Sequence, residues 1–445
     1  MPSPGPHQVF LNHCLTVLTC CRNHYGLVNA GLKTGLKALL ALVSTGVAAG
    51  LGAFLFFHLV ELAEGFRKSL PTLLPVFAFS AVTLPYLFSR LAGFERGGGT
   101  GFVLKKLHKS PDTLTLKESL CYYSASALTI GLGGSAGPEG PMVVLGAGFG
   151  GFFSKLAGVD KGLARIFLLS GAAAGVASAF KAPLTGILYA LEIPYKRDVE
   201  GPAFLYAIPS AVTAYLVSQA LLKPHILIPS HERYIPIDPY TIAISLLTGV
   251  AAAAISLVFM LTLEATGRVL RGVGWAGPVA AGAMLASLTY FLPEAGGFGY
   301  EAVNKVLENP LAITRAAAIL LVTAKMIATA VTVKGGGSGG LFLPTVFIGI
   351  VTGAAFTQLL THYGLPVEPS LVIAAMTSSM LAACNKTLVT GVILSLEVFG
   401  FMNVIPALLS SLTAYALTIN WSIHENQLAD RAESMAMENR LRGTG

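Results

Sequence analysis

The sequence is poor in charged residues. Asp, Glu, Lys and Arg make up 11% of its 445 residues, whereas about a quarter is usual in a soluble domain. Hydrophobic residues reach 54%, and the mean hydropathy is +0.69. So little charge excludes an ordinary soluble domain, and we predict a polytopic integral membrane protein.

Cysteine is also scarce. Five cysteines stand at positions 14, 20, 21, 121 and 384, and this spacing makes no paired disulfide framework. Three of them lie between His13 and His24, but they match no zinc pattern. No nucleophile is paired with a base, and no cofactor motif is present. We therefore predict no metal site, no cofactor and no enzymatic activity.

The net charge of +7 raises the question of a nucleic-acid partner. The basic residues are scattered through turns between apolar segments, without an aromatic-interleaved patch. Lysines and arginines at membrane edges explain this pattern, so we predict contact with membrane lipid and no nucleic-acid binding.

What the sequence does contain is an internal repeat. Residues 133–141 (GGSAGPEGP) align with 336–344 (GGSGGLFLP) at a spacing of 203, and residues 181–192 (KAPLTGILYALE) align with 386–397 (KTLVTGVILSLE) at 205. Two similar spacings indicate one duplicated unit of half the chain. In membrane proteins, duplicated halves with glycine-interrupted apolar segments predict a substrate site at the repeat interface.

The predicted fold is all-α, with two inverted-topology repeats of tilted helices that partly fail to span the membrane. We divide the chain into an N-terminal leader of uncertain role (1–30), a first membrane repeat (31–222), a linker (223–239), a second repeat (240–421) and a pore-lining or cytoplasmic tail (422–445). The segments 119–132 and 142–156 flank the first glycine motif. Both are shorter than the roughly 20 residues that a spanning helix needs.

Each glycine motif predicts a helix start, near Glu139 in GPEGP and near Leu341 in SGGLFLP. Two helix N-termini aimed at one point form a donor-lined pocket that suits an anion. Glu139 is unexpected there, since a carboxylate repels an anion. We interpret it as a gate that competes with the anion for the same donors and leaves when protonated; the alternative is a cap on its own helix. Tyr122 and Tyr123 precede this motif and are interpreted as packing or interface aromatics.

These motifs resemble the CLC family of chloride channels and chloride–proton antiporters, over residues 36–431. The resemblance rests on GPEGP (137–141), GGSGGLFLP (336–344) and FKAPLTGILYALE (180–192), in the family's order. It implies a homodimer with a pore in each subunit, a gate at Glu139 and a prokaryotic inner membrane without a soluble regulatory domain. It also implies an anion held by the backbone of Leu341 and Phe342, and we place Gly98, Gly140 and Gly340 beside it.

Four positions depart from the family pattern. Gly98 replaces the serine that offers a hydroxyl to the central anion, and Pro138 removes a backbone donor of the outer site. Ile193 stands where antiporters carry an inner proton-relay glutamate, although Glu192 is one position away. Glu192 is therefore a candidate proton residue, with helix capping as the alternative. The tail tyrosine of the inner pore aligns with His424.

Two functions follow. The first is exchange of chloride, or a similar inorganic anion, for protons through Glu139; the second is a passive anion channel, which Ile193 favours. We further hypothesise that a protonated His424 draws the anion to the centre, so that binding strengthens below about pH 7. The alternative is a neutral imidazole that acts as a steric plug or faces the cytoplasm.

Overall fold

The computed structural model describes residues 32–109, 114–222, 236–399 and 404–443. These residues are almost wholly helical. The helices before residue 223 are α1 (Leu32–Ser69), α2 (Leu74–Ala92), α3 (Gly99–Lys109), α4 (Leu116–Gly131), α5 (Glu139–Leu156), α6 (Lys161–Phe180), α7 (Pro183–Glu192) and α8 (Phe204–Leu221). The predicted leader, with the cysteines at 14, 20 and 21, and most of the predicted linker lie outside the described residues.

The second half repeats this architecture. Its helices are α9 (Pro239–Gly272), α10 (Gly277–Phe291), α11 (Tyr300–Glu308), α12 (Arg315–Gly335), α13 (Phe342–His362), α14 (Pro369–Asn385), α15 (Leu388–Phe399), α16 (Val404–Leu417) and α17 (Arg431–Gly443). Two short strands, β1 (Gly97–Gly98) and β2 (Ser338–Gly339), pair in parallel. Single 3₁₀ turns lie at Pro71–Leu73, Gly201–Ala203, Gly274–Ala276 and Pro293–Ala295.

Seven helices in the described part of the chain are long and apolar enough to cross a membrane. They are α1, α2, α6, α8, α9, α12 and α13, where α2 and α8 are counted with the 3₁₀ turns before them. The chain is thus a multi-pass integral membrane protein. The helices that flank the first glycine motif, α4 and α5, are not among the seven.

The predicted helix starts in the two glycine motifs are confirmed. Helix α5 begins at Glu139, and α13 begins at Phe342 with Leu341 as its N-cap. The apolar runs 240–263, 273–291 and 404–421 do not coincide with the helices. Helix α9 continues to Gly272, α10 begins at Gly277, and α16 ends at Leu417.

Two helices were not predicted, α3 and α11. Helix α3 (GTGFVLKKLHK) starts with glycines and ends with basic residues, so its sequence is typical of a loop. Helix α11 (YEAVNKVLE) has only nine residues, and its apolar side chains Ala302, Val303, Val306 and Leu307 are buried along one face. Tertiary packing stabilises these short segments, because isolated helices of this length are marginal.

The two halves contact each other reciprocally at the glycine motifs. Gly137 N donates to Gly340 O (2.9 Å), and Gly340 N donates to Gly137 O (2.8 Å). These residues are repeat mates, so a two-fold rotation that exchanges the repeats converts each of these bonds into the other. The inverted repeats therefore meet at a pseudo-two-fold axis near this pair.

Threonines of both halves extend the same symmetry. Ser135 N donates to Thr332 Oγ1 (3.1 Å), and Ser338 N donates to Thr129 Oγ1 (3.0 Å). Each glycine motif therefore has a backbone N–H bonded by the other half. This satisfies irregular backbone at membrane depth, where no bulk water is available.

A second reciprocal contact joins α7 to α15. Glu192, at the end of α7, accepts hydrogen bonds from Val389 N and Thr390 N at the start of α15, both at 2.8 Å. Thr390 Oγ1 adds a third bond at 2.6 Å. Glu192 therefore belongs to α7 and caps α15, the repeat mate of α7.

Glu397 performs the same role in the opposite direction. Located near the end of α15, it accepts hydrogen bonds from Leu184 N (3.2 Å) and Thr185 N (3.1 Å) at the start of α7. A carboxylate at a helix N-terminus is stabilised by the unpaired amides and the helix dipole. The two glutamates thus fasten an antiparallel helix pair at both ends.

We predict that Glu397→Ala lowers the free energy of unfolding by about 1–2 kcal/mol, since it removes a helix cap. Thermal unfolding in detergent measures the effect. Glu264→Ala is the matched control, because Glu264 forms an exposed ion pair with Arg268, which contributes at most about 1 kcal/mol. Equal losses in the two variants would contradict the capping role.

Candidate anion site

Three glycine segments meet beside the pseudo-two-fold axis. Strand β1 lies alongside β2, with Gly98 opposite Gly339, and Gly137 is bonded to Gly340. Tyr122 ties the segments together, since its hydroxyl donates to Gly97 O and accepts from Gly339 N (3.1 Å). Tyr122 was interpreted as a packing residue, because no sequence signal connects it to glycines so far along the chain.

Glycine is required where the segments touch. A Cβ on Gly140 would lie 2.7 Å from Gly340 N, and a Cβ on Gly340 would lie 1.8 Å from Glu139 Oε1. Real Cβ contacts do not approach so closely, so both positions need hydrogen in place of a side chain. The glycines thus allow the N-termini of α5 and α13 to approach each other.

Glu139 lies at this meeting point. Its side chain is 1% exposed, and Phe342 N donates to its Oε1 at 2.6 Å. The backbone amide of Leu343 faces the same carboxyl group. Its other oxygen, Oε2, has no hydrogen-bond partner in the described structure. The carboxylate of the first repeat therefore occupies the helix N-terminus of the second.

Aromatic rings enclose Phe342, the residue that donates to Glu139. The Phe180 ring lies 4.9 Å from the Phe342 ring, and the Tyr189 ring lies 5.5 Å away in an edge-on arrangement. Tyr189 is fixed in turn by a 2.8 Å hydrogen bond to Thr100 Oγ1. These rings exclude water from one side of the site, which strengthens the electrostatic interactions within it.

The other predicted site residues have separate places. Leu341 precedes α13 and is 5% exposed. Glu192 caps α15, and these contacts favour the structural alternative for it. His424 is buried in the tail, where its Nε2 lies 2.9 Å from Asn385 Oδ1. No sequence signal distinguishes Asn385, because asparagine at a helix end is common.

Comparisons with known proteins identify the family. The sequence profile of the family described as "Voltage gated chloride channel" matches residues 80–418. The chain belongs to this family. As a CLC protein it is an anion transporter or channel.

Relatives of this CLC protein cover most of its length. It is 26% identical over 380 residues to an uncharacterized protein of Methanocaldococcus jannaschii, across 84% of this chain and 91% of that protein. It is 27% identical over 361 residues to the voltage-gated ClC-type chloride channel ClcB of Escherichia coli, across 77% of this chain and 84% of ClcB.

Solved structures share the fold. A CLC-type fluoride/proton antiporter superposes with a TM-score of 0.76 at 24% identity, covering 88% of this chain and 98% of that one. A slow cyanobacterial Cl⁻/H⁺ antiporter superposes with a TM-score of 0.76 at 20% identity, covering 91% and 98%. The inverted-repeat fold of this CLC protein is thereby confirmed.

We predict that Gly340→Ala in this CLC protein weakens anion binding by tenfold or more, because the added Cβ fills the space at the α13 N-terminus. Isothermal titration with chloride measures it. Gly101→Ala is the control, since a Cβ there meets no atom within 4 Å. Chloride affinity unchanged by Gly340→Ala would rule out this position for the anion.

Proposed function

We propose that the protein exchanges chloride, or a similar inorganic anion, for protons, and that Glu139 is both the gate and the proton carrier. The anion binds where the Glu139 carboxylate now lies, at the N-terminus of α13. The observation that carries the proposal is the 2.6 Å bond from Phe342 N to Glu139 Oε1.

The chemistry of this contact supports competition. Backbone amides at a helix N-terminus bind either a carboxylate or a free anion, because both bring negative charge and acceptor lone pairs. They cannot bind both at once. An anion that enters from one side must therefore displace Glu139, and a returning carboxylate expels the anion.

The surroundings of Glu139 support proton coupling. Among the described residues, no lysine or arginine forms an ion pair with it. Once an anion replaces it at the amides, the displaced carboxylate has no fixed positive partner. Protonation then removes the repulsion between the two negative groups, so anion entry and proton uptake are linked.

A passive channel is the second candidate, and one observation favours it. Both oxygens of Glu192 are engaged in capping α15, and the next residue is Ile193. An inner carboxylate free to relay protons is thus absent from this position. The names of similar proteins divide in the same way, since two are antiporters and one is called a chloride channel.

Assembly and location belong to the same proposal. We expect a homodimer with one pore in each subunit and a place in a prokaryotic inner membrane. The relative ClcB is bacterial, which agrees with that location.

We predict that Glu139→Gln abolishes the pH dependence of anion flux and reduces coupled proton movement to background. Glutamine keeps the shape of a protonated glutamate but carries no charge to compete with the anion. Radioactive chloride uptake and proton movement are measured together in the same liposomes. Glu397→Gln, which changes a half-buried carboxylate elsewhere in the chain, is the control and should keep both fluxes. Wild-type proton coupling in Glu139→Gln would reduce Glu139 to a cap.

The reversal potential separates the two candidate functions. For an exchanger, a pH gradient moves the reversal potential away from the equilibrium potential of chloride. Planar bilayers with a tenfold proton gradient and equal chloride test this. A reversal potential that stays at the chloride equilibrium value identifies a passive channel.

A further inference from the structure

Asn385, the last residue of α14, has a buried side-chain amide whose NH₂ group makes no hydrogen bond with the described residues. The residue is fully buried, and its Nδ2 has no hydrogen-bond partner in the described structure. Its Oδ1 lies 2.9 Å from His424 Nε2. Because an amide oxygen only accepts, Nε2 carries the proton, and the NH₂ group of Asn385 is directed away from the imidazole.

Such an arrangement is unfavourable unless something accepts from the NH₂ group. A buried donor without a partner costs about 1–3 kcal/mol. Several buried hydroxyls of the described chain also lack partners, but a hydroxyl can rotate to find one. Asn385 Nδ2 is the one amide nitrogen among these atoms, and the His424 bond fixes its direction.

The Asn385 turn lies against the start of α13. Ile423 N donates to Cys384 O at 3.0 Å, which joins the tail to the end of α14. The side chains of Ile423, Cys384 and Leu341 belong to one buried cluster. Leu341 is the N-cap of α13, so the Asn385 turn and the start of α13 are parts of one continuous buried core.

The repeat symmetry gives an independent placement. Asn385 is the repeat mate of Phe180, and each is followed by a lysine in the left-handed conformation, Lys181 (φ 52°) and Lys386 (φ 62°). Phe180 packs on Phe342 at 4.9 Å. Glu139 is the repeat mate of Phe342, so the pseudo-two-fold rotation relates the Phe180–Phe342 contact to a place for Asn385 beside Glu139.

Charged groups near this turn have partners of their own. Lys386 Nζ donates to Thr418 Oγ1 at 2.7 Å, and Lys334 is paired with Glu425. Burial, with a smaller effect from the charge of Lys334, lowers the pKa of His424 to about 3. Burial therefore favours the neutral imidazole, the form in which Nε2 donates to Asn385, and attraction of the anion by a protonated His424 stays the competing prediction.

We propose that the side-chain amide of Asn385 donates a hydrogen bond to the transported anion, and that His424 is the positioning residue that holds the amide in this orientation. The inference rests on the proposed anion transport. The Asn385 amide would supply a side-chain donor, which neither Gly98 nor a neutral His424 provides as a hydroxyl. The ligand class is a small inorganic anion with acceptor lone pairs.

Chloride titrations in a Glu139→Gln background test the proposal, since this background removes the competing carboxylate. We expect Asn385→Leu to weaken chloride binding about tenfold or more, the loss of one hydrogen bond to a charged group. Ser411→Ala removes an unpartnered buried hydroxyl on α16 and should leave the affinity within twofold. A chloride affinity of Asn385→Leu within twofold of that of the Glu139→Gln parent would overturn the proposal.

His424 variants separate positioning from packing. His424→Gln keeps an N–H donor and should retain the affinity, whereas His424→Phe fills the space without a donor and should weaken binding. The affinity of the parent should be constant from pH 5 to 8, because the imidazole stays neutral. Equal affinities in His424→Gln and His424→Phe, or binding that strengthens toward pH 5, would contradict the positioning role.

A second measurement covers the case in which Asn385→Leu does not fold. Asn385→Asp has nearly the same shape but replaces the donor with an acceptor. Chloride raises the melting temperature of any protein that binds it in the folded state, and this rise should be lost in Asn385→Asp. A rise equal to that of the parent would overturn the proposal. If the parent itself binds none of chloride, bromide, nitrate and fluoride, the proposed transport function fails instead.

Discussion

The hydrogen-bonding needs of irregular backbone inside the membrane govern this structure. Glycine segments interrupt the helices where lipid provides no donors or acceptors, so each segment must find partners within the protein. The two halves meet this need for each other through the mutual bonds of Gly137 and Gly340 and through Thr129 and Thr332. A single glycine motif would leave these groups unpaired, and duplication resolves the problem.

The same contacts determine which donors remain for a ligand. Gly340 N is hydrogen-bonded to Gly137 O of the first repeat. Phe342 N, two residues later, has no backbone partner in the described chain because Phe342 begins a helix, and it donates to Glu139 instead. Glu139 reaches this amide from the first repeat. The candidate anion site therefore follows from how the repeats join. Its proposed gate, Glu139, belongs to the first repeat, whereas the amide that it occupies belongs to the second. This division makes the two halves unequal despite their common origin.

Much of this was predictable from sequence. The membrane class, the repeat and the helix starts near Glu139 and Leu341 follow from composition, spacing and the positions of proline and glycine. Helices α3 and α11 were missed because only tertiary packing stabilises them. The contacts of Tyr122 and Asn385 were missed for a related reason. A hydrogen bond between residues far apart in the chain leaves no periodic pattern, and one sequence offers no covariation to reveal it.

Glu192 illustrates the limit of reading a buried carboxylate as functional. Its position near the family's proton residue suggested proton transfer, but its oxygens accept three hydrogen bonds from Val389 and Thr390. Its mate Glu397 has the same arrangement on the opposite helix, and a role that both repeat mates share does not require the transport pathway. Glu139 differs from this pair of glutamates, because its repeat mate is the uncharged residue Phe342. Glu139 therefore lies outside the capping contacts that the two halves share, and Asn385, whose mate is Phe180, lies outside them as well.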